Sequence, residues 1–130
     1  MPLIAAQPYY YDLPADGLAL VIIDMHRDFL EPGGFGEALG NDVSRLQTII
    51  PTVQKLRQVS KSKGLLVIHT KEGHREDLAD CPPAKLNRGQ GTLKIGDEGP
   101  MGRILVLGEP GNGDIPELHP RPQWVGIAKP

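Results

Sequence analysis

Leu18-Ala19-Leu20-Val21-Ile22-Ile23-Asp24 is the stretch on which the fold turns. Six apolar residues, half of them β-branched, stand between Gly17 and an aspartate, which is the pattern of a strand buried on both faces of a parallel sheet. A Gly-rich turn follows (Gly33, Gly34, Gly36, Gly40), and then apolar residues recur at Val43, Leu46, Ile49 or Ile50, Val53, Leu56 and Val59. Steps of three and four define one face of a helix. Pro51 is best tolerated in a first turn, so the spacing predicts a main helix from about Thr48 to Lys63, closed by Gly64. Lys55, Arg57, Lys61 and Lys63 crowd toward its C-terminus, where they suit the macrodipole. Leu65-Leu66-Val67-Ile68 then predicts a second buried strand that ends in His69 and Thr70. Strand, helix, strand is a right-handed βαβ unit and sets the class as α/β with a parallel sheet. Further on, Val125-Gly126-Ile127-Ala128 predicts a third strand, and Arg103 to Leu107 a short extended or helical segment.

The 130 residues and 14.1 kDa allow one domain at most. With 14 Lys and Arg against 16 Asp and Glu, the formal charge is -2. That leaves no basic surface for a phosphate backbone or for anionic lipid, so neither nucleic acid nor membrane is expected as a partner. The longest apolar run is far too short to span a bilayer, and no Lys or Arg precedes an apolar stretch in Met1 to Tyr10, so neither a membrane span nor a signal peptide is expected. One cysteine excludes a disulfide framework. The expected location is the cytoplasm. Of the 16 Gly and 13 Pro, 18 fall after Thr70. The stretch from Lys71 to about Gln123 is therefore loop-rich, and is either an active-site wall or a region missing its support.

Ligands of open α/β sheets bind beyond the carboxyl ends of the strands, so the polar residues there are the first candidates for chemistry. Strand one delivers Asp24, strand two delivers His69 to His74, and strand three delivers Lys129. A carboxylate and an ammonium at neighbouring strand ends stabilise each other's charged forms, and could activate a nucleophile or hold developing negative charge. The competing reading is an ordinary ion pair or an Asp capping its loop.

Leu20-Val21-Ile22-Ile23-Asp24-Met25-His26-Arg27-Asp28-Phe29 resembles the opening strand and D-x-x-x-D-F motif of the isochorismatase-like cysteine hydrolases. Val67 to Arg75, Gly99 to Leu105, Gly108 to Gly111 and Ile115 to Leu118 look most like the biuret and ureidoacrylate hydrolase branch. The similarity runs from about Tyr9 to Pro130. The resemblance implies a Rossmann-like three-layer α/β/α fold around a parallel sheet, of which residues 1–130 form an incomplete N-terminal part. It also implies an Asp, Lys, Cys constellation in which the Asp after strand one accepts the thiol proton, the Lys after strand three stabilises charge, and a Cys at a later helix N-terminus attacks the amide carbon. Asp24 and Lys129 match the first two positions; the third is absent here. Phe29 follows the motif as a candidate pocket residue, with a core plug as the alternative, and His74 and Arg75 are candidate contacts to a polar amide substrate. A homo-oligomer is implied for the complete protein, and no organic cofactor.

Cys81 does not substitute for the missing thiol. It precedes Pro82, is pushed to extended geometry, and lies in a loop rather than at a helix N-terminus. A metal is not expected either. Glu72-Gly73-His74 falls where the nicotinamidase branch carries a metal-binding D-x-H, but no His or Cys pair follows between Arg75 and Gly96 to complete a site. Arg103 and Arg121 sit in loops, and Tyr9-Tyr10-Tyr11 suggests an N-terminal arm packed on the body or on a neighbour. The function expected is cleavage of C–N bonds in small linear urea-type amides, biuret or ureidoacrylate-like. The rival expectation is a non-catalytic chain, one that binds a small amide or pairs with an intact paralogue.

Overall fold

A computed structural model of the chain describes residues 2–88, 91 and 93–130. Its strands are β1 (Leu3–Ile4), β2 (Tyr11–Asp12), β3 (Ala19–Ile23), β4 (Leu66–Glu72), β5 (Glu98–Gly99), β6 (Gly102–Arg103) and β7 (Val125–Lys129). The α-helices are α1 (Arg27–Leu30), α2 (Phe35–Ala38), α3 (Val43–Gln47), α4 (Ile50–Ser62) and α5 (Pro83–Leu86). Strands β3, β4 and β7 form one parallel sheet with β4 in the middle, and β1–β2 and β5–β6 are separate antiparallel pairs. The βαβ unit is β3–α4–β4. Helix α4 carries Pro51 in its first turn, where the missing N–H costs no intrahelical bond.

One face of the sheet is buried. Ile22 and Val67 pack there with Met25, Leu30, Ile115 and Leu118, and Leu46, Ile50 and Val53 of α3 and α4 close the cluster. Each such side chain contributes roughly 2–3 kcal/mol of transfer free energy, and together they anchor the helix to the sheet. The other face is open. The register sets Val21 beside Ile68 and Val125, and Ile23 beside Thr70 and Ile127. Val21, Ile23, Val125 and Ile127 are 47%, 58%, 43% and 48% exposed. Burial of strand one on both faces is thus corrected: alternation sends Ile22 inward and its two neighbours outward, and no described element packs over them.

Strand β4 outruns its apolar segment. It continues through His69, Thr70 and Lys71 to Glu72 because β7 supplies ladder partners as far as Glu72 opposite Lys129. His69 and Thr70 are therefore inside the strand rather than beyond its end, and Lys129 is the last residue of β7 rather than the first after it. The predicted segment Arg103–Leu107 contributes only Gly102–Arg103 as strand; Ile104, Leu105 and Val106 are buried in tight turns. Ile104 and Leu105 join Phe35, Cys81 and Ile95 in a second apolar cluster, with Phe29, Leu78, Leu86 and Leu93 against it. In the loop-rich stretch, the described residues Leu78, Cys81, Leu86, Leu93, Ile95, Ile104 and Leu105 pack into this cluster, and residues 89, 90 and 92 lie outside the described ones. The tyrosine arm is not packed on the body of this chain: Tyr11 belongs to the β1–β2 pair, and Tyr9, Tyr10 and Tyr11 are all exposed.

Candidate active site

Asp24 and Lys129 meet across the sheet. Their strands are separated by β4, about 10 Å at the usual strand spacing. The four-carbon stem of Lys129 closes that gap, and its Nζ lies 2.9 Å from each carboxylate oxygen of Asp24, with the hydrogen bond donated to Oδ2. Asp24 Oδ1 is buried and accepts no hydrogen bond. The backbone presents this carboxylate in a specific way. Asp24 donates its N–H to the Thr70 carbonyl at 2.9 Å and then turns left-handed, with φ of 57°. Aspartate and asparagine are among the few residues that adopt this conformation readily. Alternation along β7 puts Lys129 on the same side as Val125 and Ile127, so the ion pair sits at the edge of the open apolar face. The two side chains are 27% and 43% exposed, which leaves the pair reachable.

The second aspartate of the motif does something else. Asp28 is 1% exposed and its Oδ2 accepts the Leu105 N–H at 2.9 Å. Leu105 is itself left-handed, with φ of 54°, and its carbonyl accepts the His74 N–H at 2.7 Å. A Cβ on Gly111 would overlap Asp28 Oδ1, and one on Gly34 would overlap the Asp28 carbonyl. Burial pushes the Asp28 carboxyl above its ordinary value, against the pull of the Leu105 hydrogen bond. The sequence singled out the motif but gave this residue no role; its spacing to Asp24 does not reveal which carboxylate faces the sheet edge and which one clamps the wall.

The remaining candidates separate. Phe29 is half-buried, its ring 4.5 Å from that of His26 and 6.2 Å from that of Phe35, so it bridges the sheet edge and the second cluster. His74 is fully buried, with Nδ1 3.5 Å from Asp80 Oδ1 and Nε2 3.7 Å from Glu72 Oε1. Glu72 in turn pairs with Lys85 Nζ at 2.7 Å and, through the ladder, stands level with Lys129. Arg75 points away to the exposed surface, where its guanidinium pairs with Asp77 at 2.8 Å. Arg75 is thus not brought to Asp24 and Lys129 by any described contact. Cys81 is buried among Phe35, Ile95, Ile104 and Leu105, and burial pushes its thiol up, the reverse of activation.

The donor set around His74 fits an internal charge network better than a bound cation. The Lys85 ammonium already neutralises Glu72, and the His74 ring has no exposure. Among the described residues no group of three or more His, Cys, Asp or Glu is arranged to hold a metal ion.

His26 lies between these regions. It is fully buried, neither ring nitrogen has a hydrogen-bond partner, and burial lowers its pKa to about 4, with Asp24 and Glu72 opposing and Lys71 and Lys129 assisting. A lowered pKa means that the unfolded chain binds a proton that the folded one refuses. The stability this neutral ring permits is fully present above about pH 6.5 and is lost as pH falls toward 4, by about 3 kcal/mol. Urea midpoints measured between pH 7 and pH 4 are expected to fall more steeply for the parent chain than for His26→Gln. Equal slopes would remove His26 from the account.

Comparison with known proteins adds the family. The family model described as "Isochorismatase domain" matches residues 18–130. An isochorismatase family protein from Desulfovibrio vulgaris subsp. vulgaris str. Hildenborough is 26% identical, with a TM-score of 0.58 over 85% of this chain and 51% of its own. The pyrazinamidase of Pyrococcus horikoshii, solved in complex with zinc, is 28% identical, with a TM-score of 0.52 over 85% and 50%. A hydrolase of the isochorismatase family from Chromobacterium violaceum ATCC 12472, 22% identical with a TM-score of 0.53 over 95% and 48%, shares the fold. The chain spans about half the length of the solved proteins it matches. No helix among the described residues is long and apolar enough to cross a membrane.

Proposed function

The chain belongs to the isochorismatase family, and from that membership we propose that it supplies the base and the charge-stabilising cation of a thiol-dependent hydrolase acting on C–N bonds of small linear urea-type amides, biuret or ureidoacrylate-like compounds. The observation that carries the reading is the contact of Lys129 Nζ with both oxygens of Asp24, 2.9 Å from each, at the carboxyl edge of a parallel sheet. In this reaction Asp24 Oδ1 takes the proton of a thiol, and the thiolate adds to the amide carbon. The Lys129 ammonium balances the negative charge that gathers on the carbonyl oxygen. The C–N bond breaks, the proton returns to the departing ammonia or amine, and water then cleaves the acyl-thiol. Cys81, buried in the second apolar cluster with its thiol pushed up, is not placed to be that thiol. The open face of Val21, Ile23, Val125 and Ile127 adjoins Asp24, and an element packed on it would stand beside the carboxylate. The biuret and ureidoacrylate assignment rests on the loop motifs from Val67 to Leu118. The small amide is the partner; a homo-oligomer and a cytoplasmic location belong to the same proposal.

One observation favours a second reading. The only cysteine of these residues is buried in the wrong cluster, which suits a chain that binds a small amide or pairs with a catalytic relative without turning over substrate itself. Ammonia release from biuret, ureidoacrylate and pyrazinamide by the gene product purified from its native source distinguishes the two. Turnover of a urea-type amide above pyrazinamide, lowered about a hundredfold by Lys129→Ala, is expected. Preference for pyrazinamide overturns the substrate class; no turnover of any of the three establishes the second reading.

A further inference from the structure

On the α4 side of the sheet, away from Asp24, positive charge is gathered without an acidic partner. Gln54, Arg57, Gln58 and Lys61 recur at helical spacing along α4, and together with Arg121 and Trp124 they line a cavity of about 350 Å³. The guanidinium carbon of Arg57 lies 5.0 Å and that of Arg121 5.7 Å from the centre of the Trp124 ring, so two like charges share one indole. Neither arginine, nor Lys61, forms an ion pair with any described residue; Glu117 and Asp114 on the adjoining segment leave them unneutralised. Arg57 is also held in place. Its Nη1 donates to the His119 carbonyl at 3.3 Å and its Nη2 to the Glu117 carbonyl at 3.2 Å, which engages two of the five guanidinium N–H groups and leaves the others to serve a ligand. Trp124 is fixed from beneath by His69, whose ring stacks on it at 5.6 Å and 15°.

Charges of one sign brought together and partly desolvated repel each other, and Arg121 accordingly assists burial in lowering the Arg57 pKa. The repulsion is relieved by an anion that accepts from the N–H groups of Arg57 not engaged by the His119 and Glu117 carbonyls and from the Arg121 guanidinium. The Trp124 ring is already engaged by the His69 imidazole and the two guanidinium groups, so what the cavity offers a ligand is chiefly cationic N–H donors. We propose that this cavity is a binding site for a small oxyanion of the phosphate type, held by Arg57, Arg121 and Lys61, with the Gln58 amide as an additional donor; the Gln54 amide already donates to the Glu117 carbonyl at 3.2 Å. The site is independent of the Asp24 and Lys129 chemistry, since it lies beneath the opposite face of the sheet.

Trp124 is the only tryptophan of the chain, so its emission reports on the cavity directly. Inorganic phosphate added at constant ionic strength is expected to change that emission saturably below about 10 mM and to raise the unfolding temperature. Arg121→Gln and Lys61→Gln, both at exposed positions, are each expected to weaken the response about tenfold while leaving the phosphate-free melting curve in place. No saturable effect on either readout, or an unchanged response in Arg121→Gln, would overturn the assignment. Saturation by polyglutamate but not by phosphate would also overturn it, and would give the surface to an acidic protein segment.

Discussion

Asp24→Asn is expected to lower turnover of a urea-type amide by about a thousandfold while leaving the fold intact, because general-base contributions fall in the range of roughly 10²–10⁴. The substitution is chosen for the backbone. Asn adopts the left-handed conformation that Asp24 holds at φ 57°, keeps the Thr70 ladder bond, and offers Lys129 a carbonyl oxygen in place of a carboxylate. What it removes is the group that takes a proton. Steady-state ammonia release and the urea midpoint, measured on the same preparation, separate the two effects. Unchanged turnover would assign Asp24 to a structural ion pair, and a collapsed midpoint would make it a fold determinant.

The largest expected loss of stability is at the other aspartate. Asp28→Ala strands the buried Leu105 N–H and opens a void beneath Gly111, which together cost about 2–4 kcal/mol. Gly111→Ala is expected to have a similar effect by the opposite route, since its methyl group meets Asp28 Oδ1 in a site with no room to yield. Asp28→Asn keeps an acceptor for Leu105 and removes a buried charge. Its cost is expected to be smaller, and its stability less dependent on pH. The sign follows from the raised carboxyl: the folded chain holds its proton to higher pH than the unfolded one, so stability is greatest below the ordinary aspartate range and declines as pH rises from there through the raised value of the folded chain. Urea unfolding of the three variants checks this. A midpoint for Asp28→Ala equal to that of the parent would show that the wall does not depend on the clamp.

These two residues show what the sequence discloses and what it withholds. The elements β3, α4 and β4 were legible because their apolar residues repeat with the period of the structure they form, and Pro51 marks the start of the helix. The end of β4 was not, since His69 to Glu72 look like a polar loop until β7 is laid beside them and the ladder continues. The opening of one sheet face was hidden for a related reason: a run of apolar residues records the hydrophobicity of both faces, not whether both are covered. Asp24 and Lys129 could be named as strand-end residues, and the parallel register explains how they meet, two strands apart and joined by one long side chain. The packing of the described residues between Gly73 and Leu118 follows from buried main-chain bonds such as His74 to Leu105 and from the Asp28 clamp, and neither leaves a periodic trace. Arg57 illustrates the same limit: it was legible as a helix-terminal charge, but its place over Trp124 depends on a loop more than sixty residues away.

Whether Asp24 and Lys129 act as one catalytic unit is read from a double-mutant cycle. Turnover of biuret by the native gene product is compared with that of Asp24→Asn, Lys129→Ala and the double variant. The double variant is expected to lose much less than the product of the two single losses, because Lys129 both contacts the Asp24 carboxylate and stabilises charge in the same addition step. Two losses that multiply independently, or no loss in either single variant, would contradict it.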